Sequence, residues 1–283
     1  MTARESRFFQ PTTLEDALAY LAEYPDTTPI AGGTDVMVVW RDQPPPASVL
    51  DLGCLKELRG IRQTANGVSI GAATTWSELA ISGLVAEIVP LLARAAKSVA
   101  AAQVRNRGTI GGNIVNASPC ADSLPSLLLH EATLVLRSQR GARRVPFDSF
   151  YFGYKRMDLH QDEILATVEV PPLPYTARLF WRSVGTRRAQ SVTKLSLAGA
   201  VGINGEGWIE HARLAAGAVA PTVVRLPLTE RSLIGHRLTQ DFIEQTRMLA
   251  ESEISPIDDL RGSAHYRRKV FGNLVQRFLT ELM

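Results

Sequence analysis

Three prolines in four residues, Pro171-Pro172-Leu173-Pro174, set the tightest limit on how this chain folds. Proline offers no backbone N–H and fixes φ, so neither a helix interior nor a central strand runs through such a cluster. It reads as a linker, and 283 residues at roughly 150 per domain leave one domain on each side. With 45% hydrophobic and 21% charged residues, the composition is globular and the chain is long enough to bury a core without disulfide staples.

Before the prolines, helices and strands mix. Thr12 and Thr13, followed by Glu15 and Asp16, give a doubled capping signal, and Leu14, Ala17, Leu18 and Leu21 a helical stripe. Thr28 to Ala31 reads as a short strand, Gly32-Gly33-Thr34 as a tight turn and Asp35 to Arg41 as a brief helix. Strands are expected at Val49 to Leu52, Val68 to Ala72, Thr109 to Val115, Ala132 to Arg137 and Glu163 to Val170. Helices are expected after Thr75, at Pro90 to Lys97 and at Asp122 to His130. After the prolines come strands at Leu179 to Val184, Leu197 to Ile203 and Trp208 to Val219, with Asn204-Gly205-Glu206-Gly207 as a hairpin turn. Helices at Thr229 to Ile234, Thr239 to Glu251 and Ser263 to Leu282 follow. Both halves therefore read as α+β.

Many functions are excluded. No run of about 18 apolar residues is present to span a membrane. The start, MTARESRFFQP, lacks the apolar stretch of a signal peptide, so a cytoplasmic location is expected. Net charge is +3 with a pI near 9.0. The basic groups Arg143/Arg144, Arg187/Arg188 and Arg267/Arg268/Lys269 are dispersed, which reads as solvated faces and not as a nucleic-acid footprint. Two cysteines, Cys54 and Cys120, cannot ligate an iron–sulfur cluster alone, and five histidines show no metal-ligand spacing. No metal site is expected, and each thiol reads as a small buried hydrophobe. G-x-x-x-x-G-K-[ST], G-x-G-x-x-G after a strand, G-x-S-x-G and H-E-x-x-H are all absent.

Two glycine pairs remain, in Ala31-Gly32-Gly33-Thr34-Asp35 and Thr109-Ile110-Gly111-Gly112-Asn113. Consecutive glycines permit φ > 0 and close backbone approach, so successive N–H groups can converge on an anion. The first pair also precedes a helix start, which favours phosphate oxygens. Two such loops suit the two sides of one pyrophosphate; each is equally compatible with a plain turn.

These loops and their surroundings resemble the flavin subunits of the molybdenum hydroxylases, the xanthine dehydrogenase and carbon monoxide dehydrogenase family. The likeness runs through Phe9 to Ala17, Ala31 to Asp35, Ile70 to Thr75, Gln103 to Asn113, Ser118 to Asp122, Gly153 to Lys155 and Asp162 to Leu165. It continues through Ala220-Pro221-Thr222 and Asp258 to Arg267, covering nearly the whole chain in order.

The resemblance implies an FAD-binding domain of the vanillyl-alcohol-oxidase (PCMH) type over residues 1–174, with subdomains of about 1–56 and 57–174. A smaller α+β domain, a sheet with packed helices, would occupy 175–283. It assigns FAD to Ile30, Ala31, Gly32, Gly33, Thr34, Asp35 and Val36 and to Thr109, Ile110, Gly111, Gly112 and Asn113 around the pyrophosphate. Asp122 would contact the ribityl or nucleotide portion and Leu165 would be an apolar contact. Arg182 and Lys194 fall in flavin-proximal stretches, where a cation would stabilise the reduced ring; either serves equally as a snorkelling surface side chain. Some relatives place an aromatic over the flavin where Val99 and its neighbours stand here.

No side chain is expected to be catalytic in substrate hydroxylation. The implied role is electron transfer, with a molybdopterin-binding large subunit and a [2Fe–2S] small subunit as partners in a dimer of heterotrimers. The rivals are a stand-alone FAD-dependent oxidoreductase on the same fold and a flavin-free assembly module.

Overall fold

The computed structural model describes residues 7–187 and 191–283. The segment 1–6 and Arg188, used above in the leader and basic-pair readings, lie outside the described residues. The chain starts with β1 (Arg7–Phe9), α1 (Leu14–Glu23), β2 (Thr28–Ile30), α2 (Val36–Trp40) and β3 (Ser48–Asp51), whose strands pair in parallel in the order β1-β3-β2. The Thr13 hydroxyl caps α1 by accepting from the Asp16 N–H at 3.1 Å. The stripe Leu14, Ala17, Leu18 and Leu21 is buried, as its spacing predicts.

The middle of the chain forms β4 (Ile61–Thr64), β5 (Gly67–Gly71), α3 (Trp76–Ile81), α4 (Gly83–Ile88), α5 (Pro90–Ser98), α6 (Ala102–Arg105), α7 (Ile110–Val115) and α8 (Leu124–Leu129). Then come β6 (Thr133–Ser138), β7 (Gly141–Pro146), α9 (Phe147–Phe150), the ribbon β8 (Tyr151–Gly153) with β9 (Arg156–Met157), and β10 (Ile164–Val170). The antiparallel sheet order is β4-β5-β10-β6-β7. The strand expected at Thr109 to Val115 is instead the helix α7. Thr109 is its N-cap, accepting from the Gly112 N–H at 3.0 Å. The side of Gly111 lies flat on Ala72, where a β-carbon would come within 2.6 Å of the Ala72 side chain. Capping and close packing override the β-branched residues and glycines that favour extended chain.

After the prolines, β11 (Arg178–Val184), β12 (Leu195–Ile203), β13 (Ile209–Gly217) and β14 (Val224–Arg225) form an antiparallel sheet in chain order. The helices α10 (Pro227–Leu233), α11 (Gln240–Glu253) and α12 (Ala264–Thr280) follow. Strand β12 is buried on both faces. Its larger residues Leu195, Leu197 and Val201 join Phe271, Val275 and Phe278 in the helix-side core. Its small residues Ala198 and Ala200 join a second core with Leu124, Leu127 and Leu128 of α8. The small–large alternation thus fits a sheet pressed between helices and the N-terminal half. No helix among the described residues is long and apolar enough to cross a membrane.

Candidate functional site

A cleft of three connected hollows runs along the seam between these layers. The central one, about 480 Å³, is lined by both glycine loops, including Gly32, Gly33, Thr109, Gly112 and Asn113, and by Asp122 and Thr193. Through Ile30, Ala31, Thr109 and Gly112 it meets an apolar hollow of about 260 Å³, walled by Leu52, Leu58, Ile164 and Leu165. Through Asp122, Ser191 and Thr193 it meets an outer hollow of about 620 Å³ bearing Arg94, Lys97, Trp181 and Arg182. One end is greasy, the middle is backbone and the far end is cationic.

The first loop leaves its backbone donors open. The N–H groups of Gly32, Gly33, Thr34 and Asp35 donate to no acceptor among the described residues. They form the open start of α2, and Gly33 makes the turn with φ +70°. The second loop does not match it. The N–H groups of Ile110 and Gly111 donate to Thr74 O at 3.0 Å and Ala72 O at 2.8 Å. Those of Gly112 and Asn113 are held by the Thr109 hydroxyl and carbonyl. Its contribution is therefore side-chain and shape: Asn113, whose Oδ1 accepts from Ser123 at 2.6 Å, keeps its amide hydrogens for the cleft.

Leu165 sits beside a register shift in the β10–β6 pairing, and such a bulge re-aims a side chain toward a site. Glu163 enters the same hollow almost fully buried. Burial alone would raise its pKa; hydrogen bonds from Arg143 at 2.7 and 2.8 Å and from the His160 N–H bring it below the usual range. Asp122 is half-buried and faces the central and outer hollows. Burial pushes its pKa up, against hydrogen bonds from Thr193 and Ser183.

Not every expected residue reaches the cleft. Ile110 is fully buried in the core. Lys194 is turned away, with its ammonium over the Tyr266 ring at 5.1 Å. Arg182 does line the outer hollow. Neither thiol is a buried hydrophobe: Cys54 is exposed, and half-buried Cys120 lines the central hollow with the Arg261 guanidinium 3.6 Å from its sulfur. Sequence reading missed Trp181, Ser183 and Thr193, which arrive from beyond Pro174 in the chain. It also missed the clamp on Val99 and Ala100, whose carbonyls both accept from Arg105 at 2.9 Å while Ala100 holds φ +40°.

Comparison with known proteins agrees with this geometry. Residues 4–173 match the family described as the FAD binding domain in molybdopterin dehydrogenase, and 183–282 match the CO dehydrogenase flavoprotein C-terminal domain. The chain is 33% identical over 279 residues to the glyceraldehyde dehydrogenase medium chain of Sulfolobus acidocaldarius, covering 98% of each. It is 30% identical to the xanthine dehydrogenase FAD-binding subunit of Escherichia coli O157:H7, covering 97% of this chain and 94% of that one. A chain of carbon monoxide dehydrogenase from Hydrogenophaga pseudoflava superposes with a TM-score of 0.91 at 31% identity, over 99% of this chain and 98% of that one. With free N–H groups, an apolar pocket and a cationic end in one cleft of an α+β fold, this chain belongs to the FAD-binding medium subunits of the molybdenum hydroxylases.

Proposed function

We propose that this chain is the electron-transfer subunit of a multi-subunit molybdenum hydroxylase. It would receive electrons from a [2Fe–2S] partner and deliver them to an external acceptor, while a molybdopterin partner hydroxylates the substrate. The observation that carries the reading is the first loop, whose free N–H groups open into a cleft long enough for a dinucleotide. When bound, FAD supplies exchange of one or two electrons. The residues do the rest. Gly32 to Asp35 would hold the phosphates, Leu165 and its neighbours would pack against an apolar part of the cofactor, and Asp122 would meet polyol hydroxyls. Arg182, on the outer hollow, would supply positive charge near the ring.

Assembly with partners is supported by α2, whose residues Val36 to Trp40 are all apolar and none buried. Such a surface beside a cofactor loop suits a protein interface. The free thiols Cys54 and Cys120 fit a reducing cytoplasm. The relatives named as medium chains and subunits support partner chains, for which we propose a dimer of heterotrimers, and the two family matches, ending at 173 and starting at 183, fit a boundary near residues 171–174.

The test is purification of the chain followed by its visible spectrum. Bound FAD with co-purifying molybdenum and iron–sulfur chains is expected. Absence of a yellow chromophore after incubation with FAD would overturn the flavoprotein reading, and FAD without partners would favour a stand-alone oxidoreductase.

A further inference from the structure

Residues from the C-terminal half reach across the seam at one place in the cleft. Thr193 Oγ1 donates to Asp122 Oδ1 at 2.8 Å, and Ser183 Oγ lies 2.9 Å from Thr193 Oγ1. Asp122 belongs to the N-terminal half; Ser183 is on β11 and Thr193 lies two residues before β12. With the Thr193 proton on the carboxylate, the Ser183 hydroxyl backs the pair, within reach of both Thr193 and Asp122.

The loop that carries Asp122 is fixed from the same side. The Ala218 N–H donates to Pro119 O at 2.8 Å, and the Arg261 guanidinium rests on Cys120. Ser118, Cys120, Ala121 and Asp122 all line the central hollow. One wall of the cofactor cleft is thus built from the N-terminal half but held by the C-terminal one. Of these contacts across the seam, the Thr193 bond acts on a carboxylate that faces both the central and outer hollows.

We infer that Thr193, backed by Ser183, is a cofactor-positioning residue that sets the orientation of Asp122 toward FAD from across the domain seam. The inference rests on the FAD reading above. The Thr193 methyl and backbone fill space that a valine would also fill, so removing the hydroxyl isolates the hydrogen bond. A half-buried carboxylate losing its donor turns toward other partners or takes up a proton, and its contact with the cofactor is lost in either case.

The test uses the full chain, freed of flavin and titrated with FAD. Flavin fluorescence gives the dissociation constant and the visible spectrum reports the ring environment. Thr193→Val is expected to weaken FAD binding roughly 10-fold or more, the worth of a hydrogen bond to a charged group. Thr193→Ser should restore wild-type binding, and Ser183→Ala should fall between. Arg213→Met is the control. Arg213 crosses the same seam, donating to Leu129 O at 2.9 Å, but lies away from Asp122.

Binding by Thr193→Val within twofold of wild type would overturn the inference, as would an equal loss in Arg213→Met, which would mean general loosening. If Thr193→Val does not fold, the same comparison between Ser183→Ala and Arg213→Met decides. Failure of the wild-type chain to bind FAD would instead overturn the flavoprotein reading itself.

Discussion

Gly32 and Arg107 meet backbone to backbone: a β-carbon on Gly32 would lie 1.9 Å from the Arg107 carbonyl oxygen and 2.9 Å from Gly108 Cα. The first glycine of the cofactor loop is therefore demanded by the segment leading into the second loop, not by the ligand. Gly32→Ala must push the two loops apart. It is expected to destabilise the chain by about 2 kcal/mol, in the range of overpacked sites, and to abolish FAD binding. Gly33→Ala differs, since its β-carbon would meet only Met37 Cγ at 3.5 Å. Its cost is the left-handed φ, about 1 kcal/mol, and the fold should survive with reduced FAD occupancy. Thermal melts and flavin content of the two variants separate these effects; equal melting losses would refute the assignment.

His130 gives the chain an acid sensitivity. Its ring is buried, with Nδ1 2.9 Å from Pro171 O and Nε2 without a partner among the described residues. Burial lowers its pKa to about 4, outweighing the Pro171 bond and aided by Arg213. Between about 4 and the unfolded value near 6.5 the unfolded chain binds the extra proton, so stability falls as pH drops through this window. The full loss below pH 4 is roughly 3 kcal/mol. Denaturant melts from pH 7 to pH 4 should show that decline, and His130→Asn should flatten it.

Arg143 has a different acid signature. It neutralises Glu163 inside the apolar hollow and also binds Asp158 at 2.7 Å. Both carboxyls lie below their usual range, so their stabilisation is present above the unfolded pKa near 4 and lost as pH falls further. Arg143→Met would strand Glu163 in a buried place. Discounting for the solvent access of Arg143, a loss of about 2 kcal/mol at pH 7 is expected. That loss should shrink at low pH, where Glu163 is protonated; a pH-independent loss in unfolding experiments would contradict the pairing.

Arg182 tests the cationic end of the cleft. Removing its charge in Arg182→Gln should lower the flavin potential. An exposed charge is worth at most about 1 kcal/mol, or roughly 20 mV for a two-electron couple. The shift should diminish with added salt. Spectroelectrochemistry at two ionic strengths is the measurement, and an upward shift would remove Arg182 from the ring's surroundings.

Much of this was legible in the sequence where local rules suffice. The Thr13 cap, the α1 stripe, the complete Thr75–Glu78 capping box and the Asn204 hairpin all form where the residues predict. The glycine loops and Asp122 do come together at one cleft. Reading failed where distant contacts decide. Helix α7 depends on the fit of Gly111 against Ala72, and β7 was missed because Arg143 and Arg144 hide a strand whose charges pair with Glu163 and Glu169. Thr193 carries no local mark of its partnership with Asp122. The symmetry of the two glycine pairs also misled, since only the first leaves its N–H groups open.

The β12 strand, buried on both faces, has a consequence for biogenesis. Its small-residue face completes the core of the preceding half, so a ribosome must release most of the chain before that core is whole. The cleft, which needs Gly32 near one end of the sequence and Thr193 beyond Pro174, depends on the same long-range pairing. Long-range pairing of this kind is slow to form. Flavin loading then marks a nearly finished subunit, and the yellow colour of a nascent preparation serves as a readout of completed folding.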